Sequence, residues 1–226
     1  MTPSLPAPRA IIFDWDNTLV DSWACIRDAM NATLVPMGHE PWNLDETRRR
    51  VALSLRNAFP ALFGDRWEEA RDLFYREFAA IHMDRLRPLP GASEMLEALA
   101  TLGVRLAVVS NKNGAFLRKE AEHLGWAGLF DRLVGASDAS ADKPAAAPVI
   151  LALQPSGVAP GTGVWFAGDA PIDMECALNA GCLPILLRNA PPAPGEFVNC
   201  PPRHHFARFE AVTGLVRELL RPISPI

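Results

Sequence analysis

Two aspartates one residue apart open the stretch Asp14-Trp15-Asp16-Asn17-Thr18, directly after the apolar run Ala10-Ile11-Ile12-Phe13. Further along stand Ser110-Asn111-Lys112, then Asp142-Lys143-Pro144, then Gly168-Asp169-Ala170-Pro171-Ile172-Asp173. Together these supply a carboxylate pair, a hydroxyl, an amine and a second acidic pair. That inventory suits phosphoryl transfer through a covalent aspartyl-phosphate, assisted by a hard divalent cation. Asp14 is expected to be the nucleophile, attacking phosphorus in line with the leaving group. Two anions do not approach each other unaided. A Mg²⁺ shared by Asp14, Asp169 and the phosphate offsets the repulsion, with a backbone carbonyl and waters completing its oxygen shell. Lys143 adds a fixed positive charge, and Ser110, Asn111 and nearby backbone N–H groups are expected to hold the phosphate oxygens. Asp16 is then the acid that protonates the leaving alkoxide and later the base that activates water. Asp173 is expected to orient ligands and waters from behind, and Thr18 to brace the loop.

These groups need elements that deliver them to one place. Apolar runs on consecutive positions read as strands buried on both faces, as in a parallel sheet. Ala10–Phe13 is one, Val104–Val109 ends at Ser110, and Val164–Ala167 ends at Gly168-Asp169. Weaker candidates are Arg132–Gly135 and Pro184–Leu187. Between them lie helical patterns over Glu94–Leu102, Ala115–Leu124, Ala147–Leu153 and Pro171–Ala180, with a last helix over Phe209–Leu220 and a short tail expected to fray. Strands alternating with helices predict an α/β doubly wound parallel sheet, whose strand ends all point the same way and gather the polar groups at one crevice.

The stretch from 21 to 87 breaks the alternation. Trp23, Ile26, Met30, Leu34 and Met37 recur at helical spacing, as do Trp67, Ala70, Leu73, Phe74, Phe78 and Ile81, and no strand candidate falls among them. An all-helical insertion is therefore expected over 21–87, placed after the first strand as a lid, with the core formed by 1–20 and 88–226.

Composition narrows the function classes. The chain has 226 residues, 49% of them hydrophobic and 21% charged, which excludes a disordered tail, a fibre or a disulfide miniprotein. A formal net charge of -4 gives no reason to expect a nucleic-acid partner. The start lacks the charged and apolar regions of a signal peptide, and no apolar run approaches the ~20 residues of a membrane span. Cys25, Cys176, Cys182 and Cys200 contain no C-x-x-C pair and read as reduced, buried thiols, so a cytoplasmic setting is expected. No membrane is expected to be involved, and the resemblance described next implies a small phosphorylated metabolite as partner, acted on by a monomer or a homodimer.

Taken in order, the four segments resemble the four motifs of the haloacid dehalogenase superfamily over essentially the whole chain. Asp14-Trp15-Asp16-Asn17-Thr18-Leu19-Val20-Asp21-Ser22 matches the phosphatase form D-x-D-x-T-L-x-D-S at every fixed position. Haloacid dehalogenases proper lack the second aspartate, so Asp16 points toward phosphate chemistry. Val108-Val109-Ser110-Asn111-Lys112 is similar to the second motif of phosphoglycolate phosphatase-like members. Lys143-Pro144 matches the third, although the usual K-P-x-P continues here as Lys143-Pro144-Ala145-Ala146. Gly168-Asp169 with Asp173, Ala177 and Ala180-Gly181 matches the fourth. The resemblance implies a Rossmann-like core with an inserted helical cap, Mg²⁺ held by Asp14, Asp169 and the backbone carbonyl of Asp16, and a phosphoglycolate-like substrate. A phosphomutase or other phosphotransferase shares every motif and differs in its acceptor, and a non-catalytic binding protein of the same fold is a third reading.

Outside the motifs, Arg56 in Ser54-Leu55-Arg56-Asn57-Ala58 is similar to a cap segment that faces the active site in relatives, which makes it a candidate for substrate contact. Arg48-Arg49-Arg50 reads as a solvated helix face. Cys200, His204 and His205 lack a further ligand at metal spacing, so His204–Phe206 is expected to be an edge strand with Cys200 in the loop before it. Trp23, Trp67 and Trp126 are expected to pack in core or cap.

Overall fold

Consecutive apolar residues cover both faces of a strand, and the chain uses them to build a sheet sandwiched between helices. The computed structural model describes residues 5–51 and 53–221. Its strands are β1 (Ala10–Phe13), β2 (Arg105–Asn113), β3 (Arg132–Ala136), β4 (Val164–Gly168), β5 (Leu183–Leu187) and β6 (His204–Phe206). They form one sheet in the order β3-β2-β1-β4-β5-β6 with every pairing parallel. The order reverses at β1, so the C-terminal ends of β1 and β4 flank the switch point where an open sheet leaves a crevice.

Period-two alternation divides the core. Ile11 and Phe13 of β1, with Leu106 and Val108 of β2 and Trp165 of β4, pack in one buried cluster. That cluster also holds residues of α5 (Ala92–Thr101), α6 (Gly114–His123) and α9 (Phe209–Leu219). Ala10, Ile12, Ala107, Val109 and Phe166 point the other way, toward α7 (Ala147–Leu153) and α8 (Pro171–Asn179). The central strands β1, β2 and β4 thus lose apolar area from water on both sides, which is why their apolar runs show no polar alternation.

Between β1 and α5 the described residues contain helices alone: α1 (Trp23–Leu34), α2 (Leu44–Arg50), α3 (Leu55–Phe63) and α4 (Trp67–Arg85), with a short 3₁₀ turn between the last two. They bury a third cluster of their own around Phe59, Phe63, Phe74 and Phe78. The chain returns through Leu89, whose N–H donates to the Leu19 carbonyl at 2.9 Å.

Two details differ from the sequence reading. β2 runs on past Val109 to Asn113, so Ser110-Asn111-Lys112 belong to the strand rather than following it. The register against β3 shifts there, which shows how the strand end is bent. α2 and α3 carry too little apolar periodicity to be seen individually: α2 buries Thr47 alone, and α3 contains Pro60. The edge strand β6 and the helix after it fall where expected, while the tail from 222 onward lies outside the described residues. No described helix is long and apolar enough to cross a membrane.

Candidate active site

The site begins at the sharp loop after β1. Asp14 continues the strand, its N–H donating to the Ala167 carbonyl of β4 at 2.9 Å. Asn17 adopts a left-handed φ of 63°, a conformation asparagine tolerates better than most side chains, and its Oδ1 accepts from the Ser22 N–H at 3.1 Å. The Leu19 and Val20 N–H groups both turn back to the Trp15 carbonyl. This loop leaves Asp14, Asp16 and Asn17 on the wall of one cavity, together with Ser110, Lys143 and Asp169.

Lys143 is the hub. Its Nζ lies 2.7 Å from Asp14 Oδ1 and 2.7 Å from Asp173 Oδ1, and all three side chains are buried. The other Asp173 oxygen accepts from the Ala170 N–H at 3.1 Å, so this carboxylate is held from both sides. Gly168 makes room for it, because a Cβ there would lie 2.3 Å from Asp173 Cγ. Asp169 accepts from the Thr18 hydroxyl at 3.3 Å. Asn111 braces the lysine's backbone, donating to the Lys143 carbonyl at 3.3 Å and accepting from its N–H at 3.1 Å. Ser110 is buried, and its Oγ accepts from the Lys112 N–H at 3.2 Å.

Electrostatics follow from this crowding. Burial lifts the Asp14 carboxyl to about 7, and the neighbouring Asp173 and Asp16 charges add to that, against the pull of Lys143. Burial also raises Asp169 well above the usual carboxylate range, with Asp173 and Asp14 reinforcing it. For Lys143, burial works against the charge, and the carboxylates of Asp14 and Asp173 more than offset it, so it stays an ammonium. Oxygens of Asp14, Asp169 and Asp173 all lie within 4.8 Å of one another. Three carboxyls therefore face one ammonium, an all-oxygen set two charges short of balance, and a hard divalent cation fits that donor set. The acid that joins Asp14 and Asp169 in this cluster is Asp173, whereas the Asp16 carboxylate turns elsewhere.

Asp16 Oδ1 lies 2.6 Å from Lys112 Nζ, and that ammonium is shared with Glu120 Oε2 at 2.9 Å. Glu120, on α6, is buried and also accepts from Trp15 Nε1–H at 2.7 Å. His82 of α4 closes the group, its Nδ1 lying 2.7 Å from Glu120 Oε1. Burial would push Glu120 up, but the bonds from His82 and Lys112 outweigh it and keep it ionised, so His82 is the donor. Lys112, Glu120 and His82 form a polar cluster that the motif reading missed. Lys112 was visible only as the end of a motif, and a glutamate inside an amphipathic helix carries no signal that it is buried.

Arg56 is not among the residues lining the cavity. Its guanidinium forks onto Asp142, Nε to Oδ2 at 2.6 Å and Nη2 to Oδ1 at 2.6 Å, tying α3 to the loop that carries Lys143. Arg48 and Arg49 line the cavity instead. Arg188 was also missed, because it stands at the edge of a proline-rich loop. It donates to the Asp169 carbonyl at 2.8 Å and pairs with Glu196 at 2.6 Å. Cys200 donates to the Pro171 carbonyl and His205 Nε2 meets the Arg188 carbonyl, so neither joins the acidic cluster.

With this geometry in hand, known proteins give a consistent picture. Residues 11–186 match the family described as haloacid dehalogenase-like hydrolase. A phosphoglycolate phosphatase of Aquifex aeolicus is 32% identical over 174 residues, 76% of this chain and 81% of that protein. One of Cereibacter sphaeroides is 30% identical over 227 residues, covering 93% of this chain and 98% of its own. The crystal structure of a predicted phosphatase from Clostridium acetobutylicum superposes with a TM-score of 0.81 at 22% identity, over 92% of this chain and 98% of that one.

Proposed function

The chain belongs to the haloacid dehalogenase-like hydrolases and is a phosphatase, and from that premise we propose that it hydrolyses a small phosphorylated metabolite through an aspartyl-phosphate on Asp14, with Mg²⁺. The observation that carries this reading is Lys143, held 2.7 Å from both Asp14 and Asp173 in the midst of a three-carboxyl cluster. Asp14, Asp169 and the Asp16 backbone carbonyl would hold the cation, with Asp173 close enough to order its waters. Bound there, Mg²⁺ would supply charge for the phosphate oxygens and keep Asp14 ionised.

The remaining chemistry belongs to the chain. Asp14 attacks phosphorus as a carboxylate, and Lys143, bonded to its Oδ1, holds it in place. Ser110, Asn111 and the backbone around them receive the phosphate oxygens, and Asn111 also fixes the backbone of Lys143. Asp16 has its Oδ1 paired with Lys112, so the proton it gives to the leaving alkoxide is one carried on its other oxygen. The alcohol departs neutral, and Asp16 then takes a proton from the water that attacks phosphorus and frees Asp14. The residues from 21 to 87 form a cap over this site, and the core is the remainder. Four unpaired, buried thiols accord with a reducing, cytoplasmic setting.

Phosphoglycolate, the substrate in the relatives' names, is the reference compound. Phosphate release should be measured across phosphorylated metabolites with Mg²⁺ and again with excess chelator. The expected result is release that needs the metal and is abolished in Asp14→Asn. Asp14→Asn protein with near-normal release would sink the nucleophile assignment, and transfer to a sugar hydroxyl in place of water would make the enzyme a phosphotransferase.

A further inference from the structure

The cavity over Asp14 is about 770 Å³, in the range that encloses drug-sized ligands, ~300–1,000 Å³. A two-carbon acid phosphate displaces only the volume of a few waters, at ~30 Å³ each. Cap and core touch at two separate places around this volume. Arg56 is forked onto Asp142, and His82 on α4 is bonded to Glu120 on α6. Phe116 of α6 is packed against Phe78 and His82, with ring centroids 5.3 and 4.9 Å apart.

The wall that faces the phosphate site from the cap is mostly apolar, with Tyr75, Arg48 and Arg49 its polar members. Trp23, Ile26, Leu55, Phe74 and Phe78 supply the apolar part, and Phe116 continues it from the core. A second cavity of about 260 Å³ shares Ile26, Val51, Leu53, Leu55 and Phe74 with the first, so apolar lining runs on into the cap. The cation expected there, Arg56, is committed to Asp142. Of the arginines before α3, Arg48 and Arg49 border the cavity, and both are exposed. Lys112 and Arg188 also line the cavity, but Lys112 is held by Asp16 and Glu120 and Arg188 by Glu196. A carboxylate placed against this wall therefore loses water and meets no uncommitted buried cation, which costs free energy, whereas a hydrocarbon group gains.

Resting on the phosphatase reading above, we propose that the substrate is a phosphomonoester of an apolar alcohol larger than glycolate, aliphatic or aromatic, whose hydrocarbon part occupies the Trp23–Phe74–Phe116 side of the cavity. The phosphate sits at Asp14 and Lys143, and the alcohol leaves past the apolar wall with the proton from Asp16. Specificity then comes from burial of hydrocarbon rather than from pairing a second anion.

The test is kcat/KM with Mg²⁺ for ethyl, butyl, hexyl and 2-phenylethyl phosphates beside phosphoglycolate. The alkyl series has nearly constant leaving groups, so differences report binding of the chain. The expected result is a rise of up to ~fourfold per methylene, at least tenfold from ethyl to hexyl, with phosphoglycolate below hexyl and 2-phenylethyl phosphates. Leu53 is exposed, so Leu53→Asp should fold, and it should lower the hexyl-to-ethyl ratio about fivefold or more. A flat series with phosphoglycolate turned over best would overturn the proposal and leave the phosphatase standing. An unchanged ratio in Leu53→Asp would also count against it. Absence of metal-dependent release from every ester would overturn both readings, and the Asp14→Asn control separates the enzyme's own release from a contaminant's.

Discussion

Asp14 carries the conflict on which the site depends: it must be an anion to react, and its surroundings resist that. Burial first, then the Asp173 and Asp16 charges, lift it to about 7 despite Lys143. An aspartate of the unfolded chain titrates near ~3.9. In the absence of metal, the folded form therefore binds the proton more tightly, and Asp14 contributes stability that is present in full below about pH 4 and lost as pH rises through about 7. Asp14→Asn removes that titration. The thermal midpoint of metal-free wild-type protein relative to Asp14→Asn should therefore fall between about pH 5 and about pH 8, and a difference that does not change with pH would contradict the assignment. Glu120 poses the opposite case, a buried anion satisfied by Lys112, Trp15 and His82. Truncating it strands the Lys112 charge between Asp16 and apolar rings, so Glu120→Ala should cost about 3–5 kcal/mol in urea denaturation. A loss below about 1 kcal/mol, the size of an exposed pair, would mean that the cluster is solvated.

At the scale of elements, β1, β4 and their following loops were legible because reactive residues interrupt apolar runs at a point the eye can find. Asp14 ends Ala10–Phe13, and Asp169 ends Val164–Gly168. β2 was cut short for the complementary reason: Ser110, Asn111 and Lys112 look like a loop, yet the strand carries them on past its apolar part. α2 had a signal that periodicity does not read. Asn43 accepts from the Glu46 N–H, and the Glu46 carboxylate accepts from the Asn43 N–H, a capping box written as N-x-x-E. Arg56 reads from the sequence as a substrate-contact candidate in a cap segment, and its partner could not be inferred, since Asp142 lies 86 positions away and meets it only through the fold. That pair makes α3 a strut to the Lys143 loop. Arg56→Ala should raise KM for any accepted phosphomonoester several-fold with the fold retained, and amide exchange should quicken in Leu55–Phe63. Unchanged KM together with unchanged exchange would show that the pair is idle.

On the scale of the whole molecule, one topological fact gathers the chemistry: β1 and β4 are neighbours at the reversal of strand order, so Asp14 and Asp169 meet although 155 positions separate them by their numbers, 169 minus 14. The four polar segments could be read in order from the sequence because a parallel sheet presents all its strand ends at one edge. What the order could not convey is which acid faces which cation, and there the structure pairs Lys143 with Asp14 and Asp173 and gives Asp16 to Lys112. The central claim is that Asp14 takes the phosphoryl group. The most direct measurement is acid quench of the enzyme during turnover with Mg²⁺, followed by mass spectrometry of its peptides. The account predicts a phosphoryl group on Asp14, present with substrate and Mg²⁺ and lost with chelator. A phosphoryl group on another residue, or substrate hydrolysed with Asp14 never modified under conditions that trap an acyl phosphate, would contradict it.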